Sequence, residues 1–219
     1  MTPGMAPGGR PGASPSYRPR HAAVAPAPRA QRGYTLIELL FVVSVLTTVA
    51  AIAVPATRDA VDALRAAMAA RSVSARLMHA RIDAIRRSAA VALRFEPVGT
   101  DYRVTTVLDG NGNGVRTADI LSGADVALTP PMRLPEQFPG IQFGLLPGVP
   151  DADGKPTTDV DGIRIGTARI LTMSPDGTAT AGTLYLHGRS SQFAVRVLGA
   201  TGRVRVLQFD QGTRTWRTR

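Results

Sequence analysis

The sequence has no cysteine among its 219 residues. That excludes a disulfide framework and thiolate chemistry, cysteine-ligated zinc included. It leaves the compartment open, because a chain with an adequate core needs no disulfide on either side of a membrane. Histidine is scarce. His21, His79 and His187 stand far apart, which excludes a histidine-rich metal cluster. Lysine is almost missing: of 26 basic residues only Lys155 is not arginine. Internal repeats are absent. No Ser–His–Asp order, paired-acid spacing or glycine-rich phosphate loop occurs in a context that would use it, so the sequence supports no enzyme.

What is present is basic and unevenly spread. The net charge is 26 − 16 = +10. Residues 1–33 hold Arg10, Arg18, Arg20, Arg29 and Arg32, no acid, and 7 of the 17 prolines. Such a stretch cannot bury apolar surface and is expected to be disordered. Without it the remainder carries 10 − 5 = +5, so a nucleic-acid role read from the whole-chain charge would be inflated. Hydrophobic residues make up 44% of the chain, enough for a packed core.

The strongest signal is apolar. Leu39 to Thr57 is a run of 19 residues without a charge. As a helix it spans about 28 Å, close to the hydrocarbon thickness of a bilayer. Glu38 interrupts the backward extension through Leu36 and Ile37, and a carboxylate in an apolar span costs at least a few kcal/mol. Pro55, near the far end, removes a backbone hydrogen bond and is expected to kink a continuing helix. Arg18, Arg20, Arg29 and Arg32 before the span balance Arg58, Arg65, Arg71 and Arg76 after it, so flanking charge does not set topology. A secretory signal cut near Ala51-Ile52-Ala53 is one reading.

The junction itself carries another. The run Arg32-Gly33-Tyr34-Thr35-Leu36-Ile37-Glu38-Leu39-Leu40 resembles the type III signal of type IV prepilins and type II secretion pseudopilins. The resemblance implies that prepilin peptidase cuts after Gly33 and that the new amine of Tyr34 is methylated. It makes Glu38 the fifth mature residue and Pro55 the helix-kinking proline, at mature position 55 − 33 = 22. It also implies a single pass through the inner membrane, with the C-terminal domain in the periplasm or on the cell surface. The leader is longer than the short one usual in that family, which leaves Met5 or an internal start open.

The chemistry of the motif suits assembly. Gly33 lets a protease approach the backbone closely. Methylation keeps the Tyr34 amine charged, and Glu38 lies four residues on, on the same helical face. In a dry filament core an unpaired carboxylate or ammonium is costly, so Glu38 of one subunit is expected to pair with the Tyr34 amine of its neighbour.

Past Pro55 the apolar residues Val61, Leu64, Met68, Ala75, Met78, Ile82, Ile85 and Ala89 step by threes, fours and one seven, a single helical stripe. One helix of about 50 residues, from near Tyr34 to near Ala89, is expected, its second half packing that stripe on a domain. His79 and the arginines of this stretch read as a solvated face.

After residue 90 the period becomes two. Strands are expected at 91–95, 102–108, 141–143, 164–165, 170–173, 183–187, 192–198 and 203–209, with a turn at Pro97-Val98-Gly99 and His187 as a strand residue. Six prolines between 130 and 150 predict irregular chain there, and DADGKPTTDVDG (151–162) a polar loop. The expected fold is α+β and pilin-like: one long N-terminal helix, its first half transmembrane, packed on an antiparallel β-sheet domain. The segments are a cleaved leader (1–33), a transmembrane helix (34–57), an amphipathic helix (58–90) and an antiparallel β domain (91–219). The tract ARIDAIRRSAAVALRF, the DGNGNG turn, Met173-Ser174-Pro175-Asp176-Gly177-Thr178-Ala179-Thr180 and the closing Val195–Val206 stretch with its Gly-Arg-x-Arg are similar to the GspH/FimT-type minor pseudopilin domain. That implies a structural subunit at or near the tip of a type II secretion pseudopilus, or one that primes a type IV pilus. Its partners would be other pilins or pseudopilins, met through the N-terminal helix.

Two further sites follow from residue chemistry. Asp109, Asn111, Asn113 and the glycine at 114 match positions 1, 3, 5 and 6 of a calcium-binding EF-hand loop, but Ile120 stands where the bidentate acid belongs. An Asx–Gly turn explains the same residues without a cofactor. Arg203 and Arg205 share one strand face, and Arg214, Trp216 and Arg217 follow, a set that suits phosphate contact and base stacking. In FimT-like proteins such an end is associated with DNA capture. A solvated strand face and a frayed tail are the simpler explanation of the same residues.

Overall fold

The computed structural model describes residues 33–219. The leader assigned to 1–33 therefore lies, Gly33 apart, outside the described residues. The chain divides into two compact units, with the boundary between Val45 and Leu46.

Helix α1 runs from Leu36 to Arg87, 52 residues, with Pro55 inside it. The helix is continuous through the proline, and the Thr57 hydroxyl, two residues on, donates to the Ala53 carbonyl at 2.8 Å. Eleven strands and two short helices follow: β1 (Val91–Val98), β2 (Asp101–Leu108), α2 (Thr117–Ser122), β3 (Val126–Ala127), β4 (Met132–Arg133), α3 (Leu134–Gln137), β5 (Gln142–Phe143), β6 (Ile163–Arg164), β7 (Ile170–Met173), β8 (Gly182–His187), β9 (Gln192–Leu198), β10 (Arg203–Asp210) and β11 (Thr215–Thr218). They form two antiparallel sheets. One is ordered β3-β2-β1-β7 with β4 also on β2; the other is ordered β11-β10-β9-β8-β5 with β6 also on β8. Strand β1 runs on through Pro97 and Val98, so the expected turn there begins only at Gly99. The expected frayed tail is instead strand β11, in register with β10 from Leu207↔Thr218 to Asp210↔Thr215.

The packing of α1 is the reverse of the expectation. The residues it buries are Ala66, Ala69, Ala70, Val73, Leu77, Ala80 and Ala84, and they join Leu93, Phe95, Leu171, Leu184, Leu186 and Phe193 of both sheets in the main core. The larger residues of the sequence-derived stripe, Val61, Leu64, Met68, Met78, Ile82 and Ile85, are 38–60% exposed. At 100° per residue the two stripes lie on opposite sides of the helix. The reason is volume. The sheets supply bulky side chains, and a core packed at crystal-like density then needs small ones on the helix. Periodicity weighted by side-chain size selects the bulky stripe and overlooks the alanines. Two smaller cores back the sheets: Ala92, Val107, Val115 and Ile170 behind the first, and Leu145, Val149, Tyr185, Ala194 and Phe209 behind the second.

Candidate functional site

The first turn of α1 is built by Thr35. Its hydroxyl accepts the Glu38 N–H at 3.3 Å and its carbonyl accepts the Leu39 N–H at 3.1 Å. Thr35-Leu36-Ile37-Glu38 has the capping-box spacing, a signal the sequence reading passed over. An acid in the first turn also complements the helix dipole. Glu38 is thus placed at the start of the helix for local reasons, yet Tyr34, Leu36, Ile37, Leu39, Leu40 and Phe41 around it are all exposed apolar groups. An 18-residue window of α1 has mean hydropathy 2.4 with none of it buried; by length and composition it can cross a membrane.

Gly33 precedes this turn. A Cβ built on it meets nothing within 4 Å among the described residues. Nothing among the described residues requires glycine there, in contrast to Gly188, whose Cβ would run into the Asp62 carboxylate.

That carboxylate forms the principal polar tie between α1 and the sheets, which sequence reasoning missed. One oxygen of Asp62 accepts the Arg189 N–H at 2.8 Å. The other accepts the N–H groups of Ser190 and Ser191, both at 3.2 Å, and the Ser191 hydroxyl at 2.7 Å. All come from the β8–β9 turn, 127–129 residues away in sequence, so no local signal could reveal it. Burial works to raise the Asp62 pKa, but the hydrogen bonds together hold it below the usual carboxylate range.

The two C-terminal motifs meet in space. A Cβ on Gly202 would press on the Gly177 carbonyl, and the Ala179 N–H donates to the Gly199 carbonyl at 2.8 Å.

The DGNGNG segment is a closed turn. The two oxygens of Asp109 accept the N–H groups of Gly112 and Gly114, each at 2.8 Å, and Asp125 accepts those of Gly110 and Arg116. Asn111 Oδ1 accepts the Asn113 N–H at 3.2 Å. Asp109 and Asp125 are buried, and their oxygens are occupied by backbone donors. This is the Asx–Gly turn geometry. Among the described residues, no group of three or more His, Cys, Asp or Glu side chains is placed to hold a metal.

The basic C-terminal set is split by the fold. Trp216 is half-buried between Tyr185 and Phe209, with ring centroids 5.8 and 5.4 Å away, and its indole N–H donates to the Pro150 carbonyl at 3.1 Å. Arg214 donates to the Gly148 carbonyl at 2.9 Å, and Arg217 pairs with Asp210 at 3.2 Å. Trp216 and Arg214 therefore fasten the segment around residues 148–153 over the second sheet, where Ala152 N–H meets the Tyr185 hydroxyl and Asp153 pairs with Arg196 at 2.7 Å. In this structure Trp216 and Arg214 thus form a latch. Arg203 and Arg205 remain exposed. His79 is exposed on α1; His187, in β8, bridges the Gly188 carbonyl and the Gln142 amide.

The chain is similar to known proteins. The prokaryotic N-terminal methylation motif matches residues 28–54, and the family of type II transport protein GspH matches residues 69–202. Two fimbrial proteins of Pseudomonas aeruginosa are each 36% identical over 88 residues, which is 38% of this chain and 56% of theirs, so the chain spans about half the length of the curated relatives it matches. Two structures of the minor pseudopilin EpsH from the type II secretion system of Vibrio cholerae are similar to it: one at 19% identity and TM-score 0.41, over 66% of this chain and 97% of that one, the other at 18% and 0.36, over 71% and 94%. With the GspH match running from the buried alanine stripe to the Gly202 turn, and a methylation motif over the start of α1, the chain belongs to the GspH family of pilin-like proteins.

Proposed function

We propose that the chain is a structural minor pseudopilin, cut after Gly33 by prepilin peptidase and methylated on Tyr34. It is anchored in the inner membrane by Leu36–Ala56 with its β domain outside the cytoplasm. It assembles at or near the tip of a type II secretion pseudopilus and supports protein secretion. One observation carries this: the apolar first half of α1, exposed and with Glu38 as its one charged residue, begins three residues after Gly33, where nothing among the described residues requires glycine. The glycine then answers to a protease and the carboxylate to a neighbouring subunit's terminus.

Mass spectrometry of the mature N-terminus tests the processing. N-methyl-tyrosine at Tyr34 is expected; a start at Val54 would instead show a secretory signal peptide. Glu38→Ala is expected to leave the chain in the membrane fraction and to abolish its cross-linking into filaments. Undiminished cross-linking would overturn the pairing role.

A second reading, a type IV pilus minor pilin that captures DNA, rests on Arg203 and Arg205, the members of the basic set whose exposed side chains make no ion pair among the described residues and take no part in the latch. A salt-sensitive gel shift lost in Arg203→Gln/Arg205→Gln would favour it.

A further inference from the structure

The first charged residue after the apolar run is Arg58. There the helix passes a groove of about 620 Å³ between α1 and the loop holding Pro139 and Gly140. Its lining combines apolar residues, among them Val54, Val61 and Pro139, with three cations, Arg58, Arg65 and Arg189. Val54, Arg58, Val61 and Arg65 are spaced 4, 3 and 4, so they line one helical face. The one acid in the groove wall, Asp62, spends both oxygens on the β8–β9 turn. Arg58, Arg65 and Arg189 are exposed, and their guanidinium groups have no ion-pair partner among the described residues.

Three unpaired guanidinium groups around an apolar notch match one chemistry, a phosphate ester joined to a hydrocarbon. Guanidinium takes phosphate oxygens in bidentate fashion, and the valine and proline side chains of the lining suit the first methylenes beyond the glycerol. The location selects the source. The groove adjoins the last apolar turn of the segment able to cross a bilayer, where lipid headgroups lie. Cations that follow the span also gain nothing from flanking-charge orientation, since equal numbers precede it. We propose that this groove binds the headgroup of an anionic phospholipid and so holds the β domain against the membrane before assembly. The inference rests on the membrane reading of α1.

The test uses the full chain reconstituted into vesicles, first of phosphatidylcholine alone and then of phosphatidylcholine with phosphatidylglycerol, followed by extraction in mild detergent and native mass spectrometry of the retained lipid. Flotation with the neutral vesicles reports the anchor; the ratio of the two lipids retained reports the groove. Phosphatidylglycerol is expected to be enriched on the order of tenfold over its share of the bilayer. Arg58→Gln/Arg65→Gln is expected to abolish the enrichment, and Arg189→Gln to reduce it. Arg203→Gln/Arg205→Gln, which removes the same charge elsewhere, is expected to leave it intact. A floating chain with no enrichment overturns the groove while sparing the anchor. Equal loss in the two double variants reduces the effect to net charge and overturns it as well. A mass corresponding to two chains with no lipid would assign the groove to a second copy. A chain that fails to float removes both anchor and groove.

Discussion

At the scale of the residue, Asp62 bears the most. It accepts three backbone N–H groups and one hydroxyl from a turn more than a hundred residues away, and Gly188 is there because any side chain would displace it. Its folded pKa is depressed, while an unfolded aspartate titrates at about 3.9. Between those values the unfolded chain binds more protons, so stability rises with pH across that window. The contribution is complete above the unfolded value and is lost as the pH falls through the folded one. Asp62→Asn is therefore expected to lower stability by about 1–2 kcal/mol at pH 7, where one charge-assisted acceptor is lost at a partly solvated site. The gap between the two proteins should narrow below about pH 4. Thermal unfolding followed by circular dichroism at pH 7 and pH 3 checks this. A gap of constant size would mean that the carboxylate's charge contributes nothing. Glu38 illustrates the opposite case: its role at the helix start was readable from four consecutive residues, Thr35 to Glu38, because capping is local.

At the scale of the element, legibility followed the range of the interactions. Helix α1 lies within two residues of its expected ends, and β1, β2, β7, β8, β9 and β10 fall where alternation places them, since each reports its own period. Strands β3 and β4 have two residues apiece and exist because β2 offers them free backbone groups. Strand β11 is ordered by its pairing with β10 and by Trp216, whose acceptor at Pro150 lies 66 residues away. No window of sequence carries that information. The buried face of α1 differs from the periodicity for another reason: alanine counts little in an amphipathic pattern while mattering most where a helix must approach a sheet closely. Ala70 is fully buried in the main core. Ala70→Leu adds volume to a site with no space and is expected to cost about 1–3 kcal/mol, read as a lower unfolding midpoint. An unchanged midpoint would show that the helix stands off the sheets.

At the scale of the whole molecule, α1 carries two apolar faces, and folding uses one. The alanine face is consumed by the β domain; the face with Met78, Ile82 and Ile85 is left in solvent together with the apolar run before Pro55. Isolated exposed apolar residues are ordinary, but an aligned set continuing from a membrane-competent segment marks an interaction surface. If neighbouring chains cover that surface in an assembly, as the proposed function requires, its burial would contribute roughly 25 cal/mol for each Å² withdrawn from water. Folding and assembly should then respond to different substitutions. Ile82→Ser/Ile85→Ser removes exposed apolar groups and leaves the core intact, so the unfolding midpoint should stay within the equivalent of about 0.5 kcal/mol of the parent. Its yield of cross-linked filament should fall severalfold, while membrane insertion, governed by the segment before Pro55, stays unchanged. If the double variant unfolded early, the stripe would belong to the core after all. If it assembled normally, neighbouring subunits would have to be held by the first half of the helix alone, with the outward stripe left facing water even in the filament.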